Sequence, residues 1–164
     1  MTKEEFREFC HSEFIQRGFK KKKNMYYLKG KDLLAGLYLQ KSMAEAYYVE
    51  FDFFIGEFND MILYPTTYEA DIHRRIMVLS KDTIKGEKFL DAMIEYKRYS
   101  VEEIKPYFDK TFDEYIMPPI LDGKKYILGN LDYYLEAIFP KDRQKVLDKL
   151  LDETQVGVSA IDKF

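Results

Sequence analysis

Tryptophan is absent from these 164 residues, and cysteine occurs once, at Cys10. A lone cysteine cannot close an intrachain disulfide, so packing must hold the fold together and a reducing cytoplasm is the expected compartment. No apolar run approaches the ~20 residues of a membrane-spanning helix, and no membrane association is expected. The opening MTKEEFREF is too acidic and too interrupted for a secretory signal. Two histidines, His11 and His73, stand with Cys10 in no zinc-like spacing, so neither a metal site nor a cofactor is expected. The eight glycines are scattered. There is no P-loop, no dinucleotide fingerprint and no G-x-S-x-G nucleophile elbow. No catalytic residue is assigned, and the reading leans away from an enzyme.

What the chain has in quantity is tyrosine and phenylalanine, 14 and 13 residues, within a composition 46% hydrophobic and 34% charged. That balance belongs to a globular chain rather than a disordered one. Its aromatics favour half-buried pleated surfaces, which points to a sheet. The length suits one domain over 1–164, divided into a helix-plus-sheet part (1–99) and a helical part (100–164).

The net charge of −3 conceals an uneven distribution. Residues 1–41 hold ten Lys/Arg against five Asp/Glu, and residues 42–72 hold seven acids and no base. Such blocks either polarise a surface for a charged partner or pair with one another inside the fold.

Local signals place the elements. Thr2 and Glu5 form a capping box, and Phe6, Phe9, Cys10 and Phe14 follow at helical spacing up to a stop at Gly18. Strands are expected at 25–28, 33–41 and 47–55. In the last, Tyr47, Val49, Phe51, Phe53 and Ile55 alternate with Tyr48, Glu50, Asp52 and Phe54, the period of a sheet with one buried face. A fourth strand is expected at 71–79 and a fifth at 89–99, where Phe89, Met93 and Tyr96 also suit a helix. Ser100 and Glu103 form a second capping box for a helix ended by Pro118-Pro119. Two further helices are expected, one from Asn130 or Asp132 through 138 and one over 141–153. The fold class is therefore α+β: an N-terminal helix packed on an antiparallel sheet of four or five strands, with a C-terminal helical region.

Several short motifs occur in a telling order: Gly18-Phe19-Lys20-Lys21-Lys22, then Tyr26 or Tyr27, Leu39-Gln40-Lys41-Ser42, and Tyr48-Val49-Glu50-Phe51. Together they resemble the bacterial family numbered 4304 among the domains of unknown function. Ile72-His73-Arg74-Arg75-Ile76 is similar to that family's H-I-R-x-R segment. The resemblance is clearest over the first 80 residues, with Asn24 standing where the family often has glycine. It implies the helix-then-sheet order and no activity.

Two surfaces emerge as candidates. The first is the acidic, tyrosine-rich stretch with Glu45, Tyr48, Glu50, Asp52, Glu57, Asp60, Tyr64 and Tyr68, where contact area meets charge steering. Glu50 and Asp52 are there read as solvent-facing. That surface suits a non-catalytic protein-binding domain, immunity-like, masking a toxin or other basic partner. The second is anionic-ligand binding by Lys20, Lys21, Lys22 and Lys23, with His73, Arg74 and Arg75 contributing forked hydrogen bonds. This suits a phosphorylated ligand, and nucleic acid less well because the chain is acidic overall. An enzyme with an unfamiliar site remains the third reading.

Overall fold

The computed structural model describes residues 1–56 and 64–152. Helix α1 (Lys3–Gln16) opens on the expected capping box, Thr2 Oγ1 accepting from the Glu5 amide at 3.1 Å and Glu5 accepting from the Thr2 amide at 2.6 Å. At its end Gly18 adopts φ +94°, open to glycine without a Cβ clash. The Phe19 and Gly18 amides then donate to the Phe14 and Ile15 carbonyls. This Schellman pattern turns Phe19 back into the core.

Five antiparallel strands follow in the order β1 (Lys20–Lys22), β2 (Met25–Lys29), β3 (Leu33–Lys41), β4 (Tyr47–Ile55) and β5 (Ile72–Arg75). The lysine run, expected as a turn, is thus an edge strand, and the turn is Lys23 (φ 56°) with Asn24. Lysine at a sheet edge discourages pairing with another chain.

The strand expected at 71–79 is two strands in two sheets. β5 leaves β4 after the Ile76 amide bonds the Val49 carbonyl, because the next place beside β4 is taken by Ile94, which exchanges both backbone hydrogen bonds with Tyr47 at 2.9 and 3.0 Å. The chain instead forms a separate hairpin from β6 (Val78–Ile84) and β7 (Glu87–Asp91), turned by Lys85 and Gly86, both at positive φ. Of the fifth strand expected at 89–99, only residues 89–91 are strand, as the end of β7, and Tyr96–Arg98 is a 3-10 turn.

Helix α2 (Val101–Thr111) carries the second capping box. It does not stop at the prolines. A π turn (Phe112–Ile116) leads into α3 (Met117–Asp122), which ends at Gly123. Pro118 and Pro119 have no N–H for the carbonyls one turn earlier, those of Glu114 and Tyr115. Two tyrosines replace those donors: the Tyr126 hydroxyl bonds the Glu114 carbonyl at 2.7 Å, and the Tyr134 hydroxyl bonds the Tyr115 carbonyl at 2.8 Å. Short helices α4 (Lys124–Gly129) and α5 (Leu131–Leu135) come next, then α6 (Arg143–Leu151). The last two are shorter than expected from the apolar spacing, and Asn130 makes no side-chain cap.

Both faces of the sheet are buried, not one. On the first, Leu37, Phe51 and Phe53 share the main core with Phe6 and Phe14 of α1, Phe108 of α2, and Tyr134. On the second, Met25, Tyr27, Leu34 and Phe54 form a smaller cluster, with Tyr38 and Ala70 against it. Among the described residues no helix is long and apolar enough to cross a membrane.

Candidate functional site

Beside that smaller cluster the second face turns polar. Register sets Gln40 opposite Tyr48, Tyr38 opposite Glu50 and Gly36 opposite Asp52; on the other side of β4, Arg75 lies opposite Glu50 and His73 opposite Asp52. Because strand side chains alternate, all of these share the face of Phe54. A Cβ on Gly36 would lie 3.1 Å from Met25 Cε and 3.2 Å from Phe54 Cε2, so glycine there permits the close packing of the row.

Glu50 and Asp52, expected to face solvent, are 3% and 0% exposed. Isolated buried carboxylates would be costly, and each here is paired. Asp52 Oδ1 bonds His73 Nδ1 at 2.5 Å while Oδ2 accepts from Thr67 Oγ1 at 2.5 Å. Glu50 Oε1 accepts from Arg75 Nε and Nη2 at 3.3 and 3.2 Å, and its Oε2 stands 3.9 Å from His73 Nε2. Arg75 also donates to Gln40 Oε1 at 3.2 Å and lies 4.0 Å above the Tyr48 ring.

His73 is therefore held between two carboxylates. Burial pulls its pKa down, but the Asp52 hydrogen bond and the negative charges of Asp52 and Glu50 outweigh that and raise it above the ordinary 6.5. With His73 protonated, the row contains two anions and two cations. An imidazolium stabilised on both sides is a poor general base. The arrangement suits a neutral, rigid platform better than proton abstraction. Nearby, burial and the Asp52 charge push Tyr27 up to about 12, and its hydroxyl donates to the Pro65 carbonyl at 2.5 Å.

The row draws on both sequence-derived groups, Glu50, Asp52 and Tyr48 from the acidic one and His73 and Arg75 from the basic one. The remaining members lie elsewhere. Arg74 points to the opposite face, 3.8 Å above the Tyr133 ring and donating to the Tyr133 carbonyl, so the two arginines form no shared fork. Lys20, Lys21, Lys22 and Lys23 sit at the far edge of the sheet. Even there they diverge: Lys21 lies over Tyr26 and Lys22 over Tyr64. Tyr64 packs on Tyr27, and Tyr68 is fully exposed. Glu57 and Asp60 lie outside the described residues.

Every described acid of the 42–72 stretch has an internal partner. Glu45 pairs with Lys97 at 2.6 Å, Asp71 with Lys149 at 2.7 Å, and Glu69 caps Thr66. Of the two meanings open to the charge blocks, pairing within the fold describes these residues. Gln40 and Thr67 were missed as members of the row. Gln40 sits inside the Leu39-Gln40-Lys41-Ser42 motif, whereas Thr67 carried no local signal. Cys10 is buried among the aromatics, and desolvation holds its thiol well above the usual range, which makes it unreactive. Among the described residues no group of three or more His, Cys, Asp or Glu is placed to hold a metal ion.

A family model described as a domain of unknown function (DUF4304) matches residues 10–121. No curated protein and no solved structure matches the chain.

Proposed function

We infer the function of this chain from its site alone, because the chain belongs to the DUF4304 family, whose description assigns none. It is a non-catalytic protein-binding domain, and its contact surface is the second face of the sheet, centred on Arg75 and Tyr48. The observation that carries this reading is the Arg75 guanidinium, stacked on Tyr48 and anchored from below by buried Glu50, with its side chain still 39% exposed. Arginine and tyrosine dominate binding hot spots, and a side chain already fixed in place loses little entropy on association. Tyr64, packed on Tyr27 of the same face, and Tyr68 are exposed aromatics.

The finer reading is immunity-like: a bacterial, cytoplasmic protein masking a toxin or another basic partner. The composition supports it, and so does an inert, buried lone thiol. The charge pairing works against it, since Glu45, Glu50, Asp52 and Asp71 already face internal cations. Its partner would be recognised mainly by aromatic contact.

Affinity capture from the cells that make this chain tests the proposal, run in parallel with wild type, Tyr48→Ala/Arg75→Ala and Lys20→Gln/Lys22→Gln. A protein partner retained by wild type and by the lysine variant, and lost with the Tyr48/Arg75 variant, is expected. No partner differing between wild type and the Tyr48/Arg75 variant would refute the assignment of this face.

A further inference from the structure

On the opposite face from the ion row lies a cleft of about 560 Å³, between α1 and the edge formed by β1, β2 and β3. That size falls within the ordinary range for small-molecule sites, ~300–1,000 Å³. Its helical wall includes Glu4, Arg7, Glu8 and His11, and its strand wall includes Lys21, Tyr26 and Lys41. The fold itself assembles these groups. Arg7 and His11 are one helical turn apart, Lys21 lies opposite Tyr26, and Lys41 lies opposite Tyr47.

We propose that this cleft binds a small phosphate monoester. Arg7, Lys21 and Lys41 bring three cations to one concave surface, and none of the three forms an ion pair with a described residue, although Glu4 and Glu8 share the lining. Elsewhere in the described chain most arginines are already paired: Arg17 with Glu13 and Asp109, Arg74 with Glu136, Arg75 with Glu50, Arg98 with Asp82 and Glu95. Arg7 can therefore present its planar fork to two phosphate oxygens, with the lysines as point charges.

His11, oriented by Tyr26, adds a directional donor. The Tyr26 hydroxyl lies 2.9 Å from His11 Nδ1, and burial raises its pKa, so the phenol keeps its proton. With that hydroxyl donating to Nδ1, the imidazole carries its own proton on Nε2 as a further N–H donor. Glu4 and Glu8 restrict the ligand: they repel a long polyanion more than a compact one, which favours a monoester over nucleic acid. Of the four consecutive lysines, only Lys21 belongs to this site.

Titrating the intact chain with inorganic phosphate and with O-phosphoserine at low salt, following the His11 imidazole by NMR, tests the site. Saturable binding is expected, weakened about tenfold or more by Arg7→Gln and by Lys41→Gln, and tightened by Glu8→Gln. All three side chains are exposed and form no ion pair with a described residue, so the variants should fold, which circular dichroism verifies. Phosphate binding is read on the isolated chain with no protein partner present, so that failure here is separable from failure of the protein-binding face. Absence of saturable binding, indifference to Arg7→Gln, or tighter binding of a single-stranded oligonucleotide than of the monoester would each overturn the proposal.

Discussion

Replacing His73 by leucine removes the cation between Asp52 and Glu50 and leaves Asp52 fully buried with Thr67 as its remaining bonded side chain. Breaking a buried pair by deleting one partner costs about 3–5 kcal/mol. The His73 side chain is 24% exposed, so water relieves part of the penalty and the lower end, about 3 kcal/mol, is expected. That is a large share of the ~5–15 kcal/mol that holds a domain of ordinary stability. Urea denaturation across pH is the assay. The folded-state pKa of His73 lies above its ordinary 6.5, so its stabilisation is fully present below pH 6.5 and is lost as pH rises through the raised value. Wild type should lose stability over that window more steeply than His73→Leu, and subtracting the two curves removes other groups that titrate there. Adding Asp52→Asn to His73→Leu should recover part of the loss, since the uncompensated charge disappears. Parallel pH curves for wild type and variant, or a variant within about 0.5 kcal/mol of wild type, would refute the network's role.

Tyr134→Phe deletes the hydroxyl that serves the Tyr115 carbonyl; chemical denaturation should register a loss of about 1–3 kcal/mol, and Tyr126→Phe, at an exposed bond, a smaller one. Restoring a backbone donor with Pro119→Ala should make Tyr134→Phe less costly, which a double-mutant cycle measures. Gly30→Ala places a Cβ 2.7 Å from the Ile120 carbonyl oxygen, where the turn between β2 and β3 docks on the end of α3 and Lys31 N–H bonds that same oxygen at 3.0 Å. Backbone must shift, so a drop of about 1–3 kcal/mol is expected in thermal or urea unfolding.

Elements with strictly local causes were legible in the chain. Both capping boxes, the Gly18 stop and the bounds of β3 and β4 follow from residues within a few positions of one another. What escaped were effects of distant residues. The period of Ile72, Arg74, Ile76 and Val78 runs on unbroken, and only Ile94 docking beside Tyr47 divides it into two sheets. Alternation correctly put Glu50 and Asp52 on one face of β4, yet their burial depends on Arg75 and His73, 25 and 21 residues further along. The grouping of Arg74 with Arg75 failed for the opposite reason: adjacency in a strand separates side chains. The site was thus visible as a set of residues but not as a set of pairs.

The proline–tyrosine exchange in the C-terminal helices also orders the substitutions this region can accept over generations. While Pro118 and Pro119 are present, the Tyr126 and Tyr134 hydroxyls stand in for missing amides, and losing the deeper one is penalised. Once a proline has given way to a residue with an N–H, the matching hydroxyl becomes dispensable. Drift is therefore directional here: relatives lacking Tyr134 should also lack Pro119, whereas relatives lacking Pro119 can have either residue at the tyrosine position.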